Sequence, residues 1–174
     1  MEPDTVRIVE ASTPEQIAAV RRLFGEYASS LGWDLSDSRI SHEMDSLPGP
    51  YAPPRGSLML AFVGDHPAGA LGLQPVPEGC RIAGTGAELA GELKRLFVLP
   101  EFRRFGVGRA LMERSEAEAL ARGYNGLVLT TSAEMMPLAQ GLYDSLGYFE
   151  TAPYRDDMPW PQIRWMRKEL TRAT

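Results

Sequence analysis

The sequence predicts an α/β protein in which helices cover one mixed sheet. Strand-like and helix-like segments follow the order β, α, α, β, β, β, α, β, α, β, β along the chain. A strand at residues 92–99 precedes a turn, a helix and a strand at 126–131, and this order forms a right-handed crossover between parallel strands. The length of 174 residues suits one domain, so we expect a single domain over residues 1–174.

The N-terminal segments begin with a strand over residues 5–10, where the side chains alternate. The sequence Thr-Pro-Glu-Gln at residues 13–16 has the pattern of a capping box with proline in the first turn. Apolar residues at helical spacing then predict a helix over about residues 14–30. A second, short helix is expected over residues 37–47.

Prolines and glycines divide the middle of the chain. Residues 48–54 contain four prolines, which lack amide donors, so we expect an extended loop there. Strands at 57–63 and 68–76 flank a Gly-Asp-His-Pro sequence that is typical of a hairpin. Residues 80–91 are expected to form strand or loop, with a turn at the glycines of 84–86.

The C-terminal half is expected to contain two helices and three strands. A helix over about 106–122 has an apolar side formed by Val107, Ala110, Leu111, Ala117 and Ala121. A buried strand at 126–131 is followed by a helix over 134–146, which ends at a glycine. Strands at 149–151 and 163–170 complete the sheet.

The composition limits the classes of function. The chain is 44% hydrophobic and 24% charged, which is typical of a soluble globular protein. No apolar run reaches the roughly 20 residues of a membrane span, and no signal-peptide pattern opens the chain, so we expect a cytoplasmic location without membrane association. A net charge of −5 argues against nucleic-acid binding and slightly favours a cationic acceptor.

Cysteine and histidine offer no metal or disulfide chemistry. Cys80 is the only cysteine, so it cannot form an intrachain disulfide. No Cys or His spacing resembles a zinc site, and no metal is expected. The sequence leaves the oligomeric state open, including a homodimer.

The segment LFVLPEFRRFGVGRA at residues 96–110 has the order of a pyrophosphate site. A strand end leads into a basic turn, and glycines open a helix whose first amides have no internal partner and can face an anion. A P-loop would need Lys and then Ser or Thr after the second glycine, where Arg109 and Ala110 stand. A dinucleotide site would need a third Gly or Ala in place of Leu111 and an acidic residue near position 127.

The remaining interpretation is an Arg-x-x-Gly-x-Gly pattern at Arg103, Gly106 and Gly108, which closely resembles the acyl-CoA loop of the GNAT superfamily of N-acyltransferases. The segment AQGLYDSLGY at residues 139–148 resembles the superfamily's Ala-x-x-Leu-Tyr-x-x-x-Gly-Phe segment, with Tyr148 in place of Phe. The resemblance implies a GNAT-like mixed, mostly antiparallel sheet with a parallel central strand pair and helices on both faces. It also implies transfer of an acyl group from acetyl-CoA directly to a primary amine of a small molecule or peptide.

The resemblance further implies two catalytic residues. Glu92 stands where relatives carry a base that deprotonates the amine, often through water; Glu88 is a weaker substitute, and a solvated or ion-paired Glu92 is the alternative. Tyr143 stands where relatives carry an acid that protonates the departing thiolate, with a core aromatic as the alternative. At reference pKa values of about 10 and 8.5, that proton transfer is uphill by roughly 2 kcal/mol, a gap that the site could remove.

Binding residues follow from the same resemblance. The backbone of Leu96, Phe97 and Val98 is expected to bind the pantetheine arm and polarise the thioester carbonyl. The pyrophosphate loop is expected to comprise Arg103, Arg104, Phe105, Gly106, Val107, Gly108 and Arg109, although these arginines could be ordinary surface charges. The acceptor pocket is expected to involve Tyr27, Trp33, Asp34, Tyr154, Arg155, Asp157 and Trp160, with packing or dimer contact as the alternative.

Two other classes of function stay open at this point. One is a non-catalytic acyl-CoA sensor or interaction module, which retention of both Glu92 and Tyr143 disfavours. The other is a nucleotide-dependent transferase, which would bind ATP in competition with CoA. The sequence does not identify the acceptor amine or the length of the acyl chain.

Overall fold

Seven strands form one mixed sheet in the computed structural model, which describes residues 5–36, 38–82, 89–158 and 162–172. The strands are β1 (Val6–Glu10), β2 (Ser57–Val63), β3 (His66–Pro75), β4 (Ala90–Val98), β5 (Gly126–Thr131), β6 (Phe149–Glu150) and β7 (Arg164–Glu169). The helices are α1 (Pro14–Ser30), α2 (Ser38–Asp45), α3 (Val107–Ala121) and α4 (Pro137–Ser145). Glu88, Trp160 and the turn at residues 84–86 lie outside the described residues.

The strand order is β1-β2-β3-β4-β5-β7-β6. Among the described strands, β4 and β5 run parallel, and every other neighbouring pair is antiparallel. The predicted mixed sheet with a parallel central pair is confirmed. In the part of the chain that the structure describes, no helix is long and apolar enough to cross a membrane.

Helices cover both faces of the sheet, because β2 and β3 are apolar on both sides. Leu58 and Leu60 pack with α1 in one buried cluster, whereas Met59 and Ala61 pack with α3 in the other. Neighbouring residues of a strand point to opposite faces, so this alternation gives the sheet two apolar surfaces. The predicted helices on both faces are confirmed.

The first helix begins as its sequence predicts. The Thr13 side chain accepts a hydrogen bond from the amide of Gln16 at 3.2 Å, and the Gln16 side chain accepts one from the amide of Thr13 at 3.2 Å. This reciprocal pair is a capping box, which satisfies amides that the helix leaves without partners. The predicted bounds of α1 are therefore confirmed.

The expected extended loop over residues 48–54 is wrong. Gly49–Tyr51 forms a 3₁₀ turn, which Pro48 and Pro50 allow because the first positions of a helix need no amide donor. Tyr51 is fully buried against β3, where a Cβ at Gly72 would lie 2.5 Å from its ring. The proline-rich segment thus contributes a core residue.

Two helices differ from their predicted patterns. In α3 the buried positions include Ser115 and Ala119, whereas Ala117 and Ala121, which were expected on the apolar side, are exposed. The Ser115 hydroxyl donates a hydrogen bond to the carbonyl of Met112 at 2.6 Å, so burying this hydroxyl costs little free energy. Alanine is small and neutral, so it is a poor marker of a buried face. The last helix begins at Pro137 rather than at residue 134, because a proline makes helical geometry unfavourable for the residue before it.

Candidate active site

The bulge in β4 determines which side chains face α1 and α2. Lys94 is the partner of Gly72 and Phe97 the partner of Ala70, so two β4 residues, Arg95 and Leu96, lie opposite one residue of β3. Arg95 has φ of +64°, a left-handed conformation that one class of bulge has at its first residue, where glycine is usual. Without the extra residue, Arg95 would share the α3 face with Leu93, by strand alternation. With it, two consecutive cations, Lys94 and Arg95, line the same cavity.

The sheet opens directly after Glu92. The parallel pairing of β4 with β5 ends at Glu92 and Val128, although β4 continues to Val98 and β5 to Thr131. Beyond that point β5 pairs with β7 and β4 with β3. Main-chain groups along the inner edges of both strands are thereby available to a ligand.

A cavity of about 590 Å³ occupies this gap and passes from one face of the sheet to the other. Tyr27 of α1 lines it on one face, and Met112 of α3 lines it on the other. Of the predicted site residues, Glu92, Leu96, Tyr143, Tyr27, Trp33, Asp34, Arg155 and Asp157 line this cavity. Residues far apart in sequence therefore converge on one site.

The N-terminus of α3 has the features of an anion site. A 3₁₀ turn at Pro100–Phe105 leads to Gly106, which has φ of +74°, and no side chain of the described residues caps the helix. The first helical hydrogen bond runs from the Ala110 amide to the Gly106 carbonyl at 3.0 Å, so the preceding amides have no partner within the helix. Unpaired amides and the helix dipole together favour a bound anion.

The basic residues of this loop differ in their surroundings. Arg103 and Arg104 are exposed, and Arg103 Nε donates to the Val98 carbonyl at 3.1 Å. Arg109 instead contacts α4, where its guanidinium donates to the Ser145 hydroxyl at 2.8 Å. The loop is completed by Phe105, which is partly exposed, and by Val107, which is fully buried. Arg103 and Arg104 therefore carry positive charge in the turn before α3, and Arg109 carries it in the first turn of the helix.

Glu92 is a buried carboxylate with several hydrogen-bond donors around it. Gln74 donates to Oε2 at 2.8 Å and the Tyr154 hydroxyl donates to Oε1 at 3.4 Å. Arg155 Nη1 lies 3.0 Å from Oε1 and 3.3 Å from Oε2, and the same guanidinium pairs with Asp157 at 2.7 Å. This arrangement matches the ion-paired alternative for Glu92. The donors around it occupy most of the hydrogen bonds that its two carboxylate oxygens can accept.

Tyr143 is buried on α4 with its side chain at the cavity. Among the described residues, its hydroxyl has no hydrogen-bond partner. Burial, and then the neighbouring Tyr27, raises the pKa of Tyr143 above its usual value. The phenol therefore stays protonated. Its pKa moves away from that of a free thiol, whereas a lowered pKa would make proton transfer to the thiolate easier.

Several cavity residues escaped the sequence interpretation. Glu43 of α2 binds Arg95 through two hydrogen bonds of 3.1 and 2.8 Å and also accepts one from Tyr51 at 2.7 Å. Thr131 has a buried hydroxyl oxygen without a partner among the described residues. No local sequence pattern marks these residues, because they meet only when α2, β4 and β5 pack together. The one signal in the sequence for a polar site here was the pair of adjacent charges, Lys94 and Arg95, in an apolar strand.

Comparison with known proteins agrees with this geometry. A model of the acetyltransferase (GNAT) family matches residues 19–148. An uncharacterized N-acetyltransferase of Schizosaccharomyces pombe is 31% identical over 173 residues, which cover 99% of this chain and 99% of that protein. The extent of both matches covers the sheet gap and the start of α3.

Solved structures share the fold at low sequence identity. A GNAT-family acetyltransferase from Staphylococcus aureus has a TM-score of 0.73 at 18% identity, with 96% of this chain and 100% of that chain covered. A protein of Salmonella typhimurium described as an acetyltransferase, solved with its cofactor acetyl-CoA, has a TM-score of 0.65 at 17% identity, with 98% and 96% covered. The chain belongs to the GNAT acetyltransferase family, whose members use acetyl-CoA.

Proposed function

We propose that this protein transfers the acetyl group of acetyl-CoA directly to a primary amine of a small molecule or peptide. The observation that carries the proposal is the opening of the sheet after Glu92, beside the uncapped N-terminus of α3. The proposal treats residues 1–174 as one catalytic domain, with the cytoplasmic location expected from the composition.

The donor fits the opened edge of β4 and the start of α3. The amides that precede Ala110 and the exposed guanidinium groups of Arg103 and Arg104 suit a pyrophosphate. The backbone from Leu96 to Val98, which has no β5 partner, suits the amide groups of the pantetheine arm. The buried Thr131 hydroxyl supplies a further polar group that a ligand amide would satisfy.

The transfer step needs two proton movements. The amine nitrogen bonds to the thioester carbonyl carbon, the carbon–sulfur bond breaks, the amine loses a proton and the sulfur gains one. We assign the proton on sulfur to the Tyr143 hydroxyl, which is buried at the cavity and has no partner among the described residues. The main chain beside the gap would bind the developing oxyanion.

The raised pKa of Tyr143 sets a condition on this assignment. A phenol of higher pKa is a weaker acid, so its proton would move less readily to a thiolate in water. A thiolate in the same buried cavity is itself desolvated, which raises the pKa of its thiol as well. The assignment therefore requires the sulfur to be buried beside Tyr143 when the bond breaks.

Glu92 is the proposed proton acceptor for the amine, directly or through a water molecule. An ammonium has no free electron pair and cannot attack, so a base is needed. Because Arg155, Gln74 and Tyr154 already donate to Glu92, accepting a further proton requires one of these bonds to lengthen. Arg155 retains Asp157 as a partner in that case, which lowers the cost.

A thiol-release assay over a panel of amines tests the function. Purified protein is mixed with acetyl-CoA and amino acids, polyamines, aminoglycosides or peptides, and free CoA is measured over time. We expect release with at least one class and an acetylated amine as the product. CoA binding without release across the panel would favour the sensor alternative, and ATP binding in competition with CoA would favour a nucleotide-dependent transferase.

A further inference from the structure

Lys94 is a cavity residue to which the proposed chemistry gives no role. It lies on β4 two residues after Glu92, so both side chains point from the same face of the strand, with their Cα atoms about 7 Å apart. Lys94 lines the cavity, yet no described residue forms a hydrogen bond or ion pair with its ammonium group. A half-buried ammonium without a direct ion pair gains from an anionic group that a ligand brings into contact with it.

The neighbouring charges are already matched to each other. Glu43 holds Arg95 at 2.8 Å, and Glu92 holds Arg155 at 3.0 Å. These four side chains are at most 18% exposed, and they carry two negative and two positive charges. Asp157 gives Arg155 a second carboxylate partner at 2.7 Å, so each of these carboxylates is bonded to an arginine, and Lys94 has no direct ion pair among the described residues.

Burial, and then the charge of Arg95, lowers the pKa of Lys94 from its usual value. The lowered pKa means that the attraction of Glu43 and Glu92 does not compensate the ammonium group for its loss of water. Repulsion by Arg95 and Arg155 adds to that loss. An anion placed beside Lys94 would supply the missing compensation.

Part of the wall of this cavity is apolar. The apolar side chains that line the same cavity are Leu31, Trp33, Ile40, Met135, Met136, Met158 and Ile163. A ligand that satisfies both features carries a single anionic group and an apolar body. Thioether side chains adapt to different shapes, so the apolar part need not be rigid.

We propose that Lys94 binds the carboxylate of the acceptor, and that the acceptor is an α-amino acid with an apolar side chain. Its amine then faces Glu92 and the thioester, its carboxylate faces Lys94, and its side chain packs on Trp33 and the cavity methionines. This inference rests on the proposed acetyltransferase function and narrows its acceptor to an amino-carboxylate.

The test compares amines with and without the carboxylate. Thiol release and KM are measured for phenylalanine, leucine and methionine, for their amides and for their decarboxylated amines. We expect the free amino acids to be preferred, and Lys94→Met to raise their KM about tenfold or more, the loss expected for one charge-assisted hydrogen bond. The same variant should change the KM of the decarboxylated amines and of acetyl-CoA by less than about twofold.

Two further variants control for charge and folding. Lys94→Arg keeps the cation and should keep the preference for a carboxylate. Lys168→Met removes the chain's other lysine, which pairs with Glu116 away from the cavity, and should leave the preference unchanged. Thermal unfolding of each variant establishes that the protein is folded.

Binding measured without turnover separates this inference from the proposed function. Calorimetry in the presence of CoA compares phenylalanine with its amide and with phenethylamine. Preferential binding of phenylalanine that Lys94→Met abolishes supports the inference even when no amine is acetylated. Equal binding or equal use of the three compounds would overturn it, and so would acetylation of Lys94 itself, found by mass spectrometry, since the lysine would then be an acceptor.

Discussion

Tyr143 is buried on α4, and its hydroxyl has no hydrogen-bond partner among the described residues. A core tyrosine normally finds a partner for its hydroxyl, so this exception favours a role in the cavity over packing alone. The nearby Tyr148 provides a comparison, because its hydroxyl donates to Glu116 at 3.3 Å. Of the two tyrosines, only Tyr143 lines the cavity.

Replacing Tyr143 with phenylalanine should lower kcat by about 100-fold or more, because general acid catalysis contributes on that scale. The dissociation constant of CoA should change little, since the ring and its packing remain. Steady-state kinetics and calorimetry measure the two quantities. Tyr148→Phe is the matched control and should retain turnover. Equal losses of turnover and CoA affinity for Tyr143→Phe would contradict the acid assignment.

Glu92→Gln should lower kcat and shift the pH profile of turnover towards higher pH, because attack then depends on amines that have already lost their proton to water. The amide keeps the size of the side chain but cannot take a proton, and Arg155 keeps Asp157 as its partner. Turnover measured from pH 5 to 10 decides the matter. If the variant retains the wild-type profile, the amine proton goes to another group.

At the scale of elements, the turn into α3 depends on one glycine conformation. Gly106 has φ of +74° and open space around it, so it is required for its backbone angles. Gly108 differs, because a Cβ there would lie 3.2 Å from Leu142 of α4. A change at Gly108 would therefore disturb helix packing as well as the loop, and Gly106 is the cleaner position to test.

Gly106→Val should destabilise the fold by about 1–2 kcal/mol and weaken CoA binding, because a branched side chain is strained at positive φ. Gly106→Asn should cost less and retain binding, because asparagine tolerates this conformation. Chemical denaturation and calorimetry measure both effects. Wild-type CoA affinity in a folded Gly106→Val protein would place the pyrophosphate elsewhere.

At the scale of the whole molecule, the Glu43–Arg95 pair joins α2 to the bulge of β4. Burial alone would raise the pKa of Glu43, but the hydrogen bonds and charge of Arg95 outweigh it and lower the pKa to about 2 from the usual 4.5. Arg95 also contacts the Trp33 ring, with its guanidinium carbon 5.0 Å from the ring centroid. The pair thus holds one wall of the cavity in place.

The lowered pKa makes the fold sensitive to acid. Glu43 contributes stability that is fully present above pH 4.5 and is lost as the pH falls towards 2, an effect of roughly 3 kcal/mol. Glu43→Gln should be less stable at pH 7 and should lose less unfolding free energy over that range. Glu150→Gln, at a 64% exposed side chain, should keep the wild-type acid dependence. Denaturant unfolding at several pH values tests this, and equal slopes for all three proteins would be inconsistent with a buried ion pair.

The sequence by itself determined the order of elements, the bounds of α1, the parallel crossover and the loop before α3. These features depend on local chemistry: capping residues, apolar periodicity, and glycines at fixed spacing. The same local evidence misplaced the start of α4, which Pro137 determines. It also misplaced the inner face of α3, which depends on how alanine and serine pack against the sheet.

Only the tertiary structure decided how the site is arranged. The bulge at Arg95, the opening of the sheet after Glu92 and the pairing of Glu92 with Arg155 join residues that are distant along the chain. It also placed Lys94 at the cavity without a direct ion pair among the described residues. Side chains acquire their partners and their exposure to water from packing, which local sequence patterns do not encode.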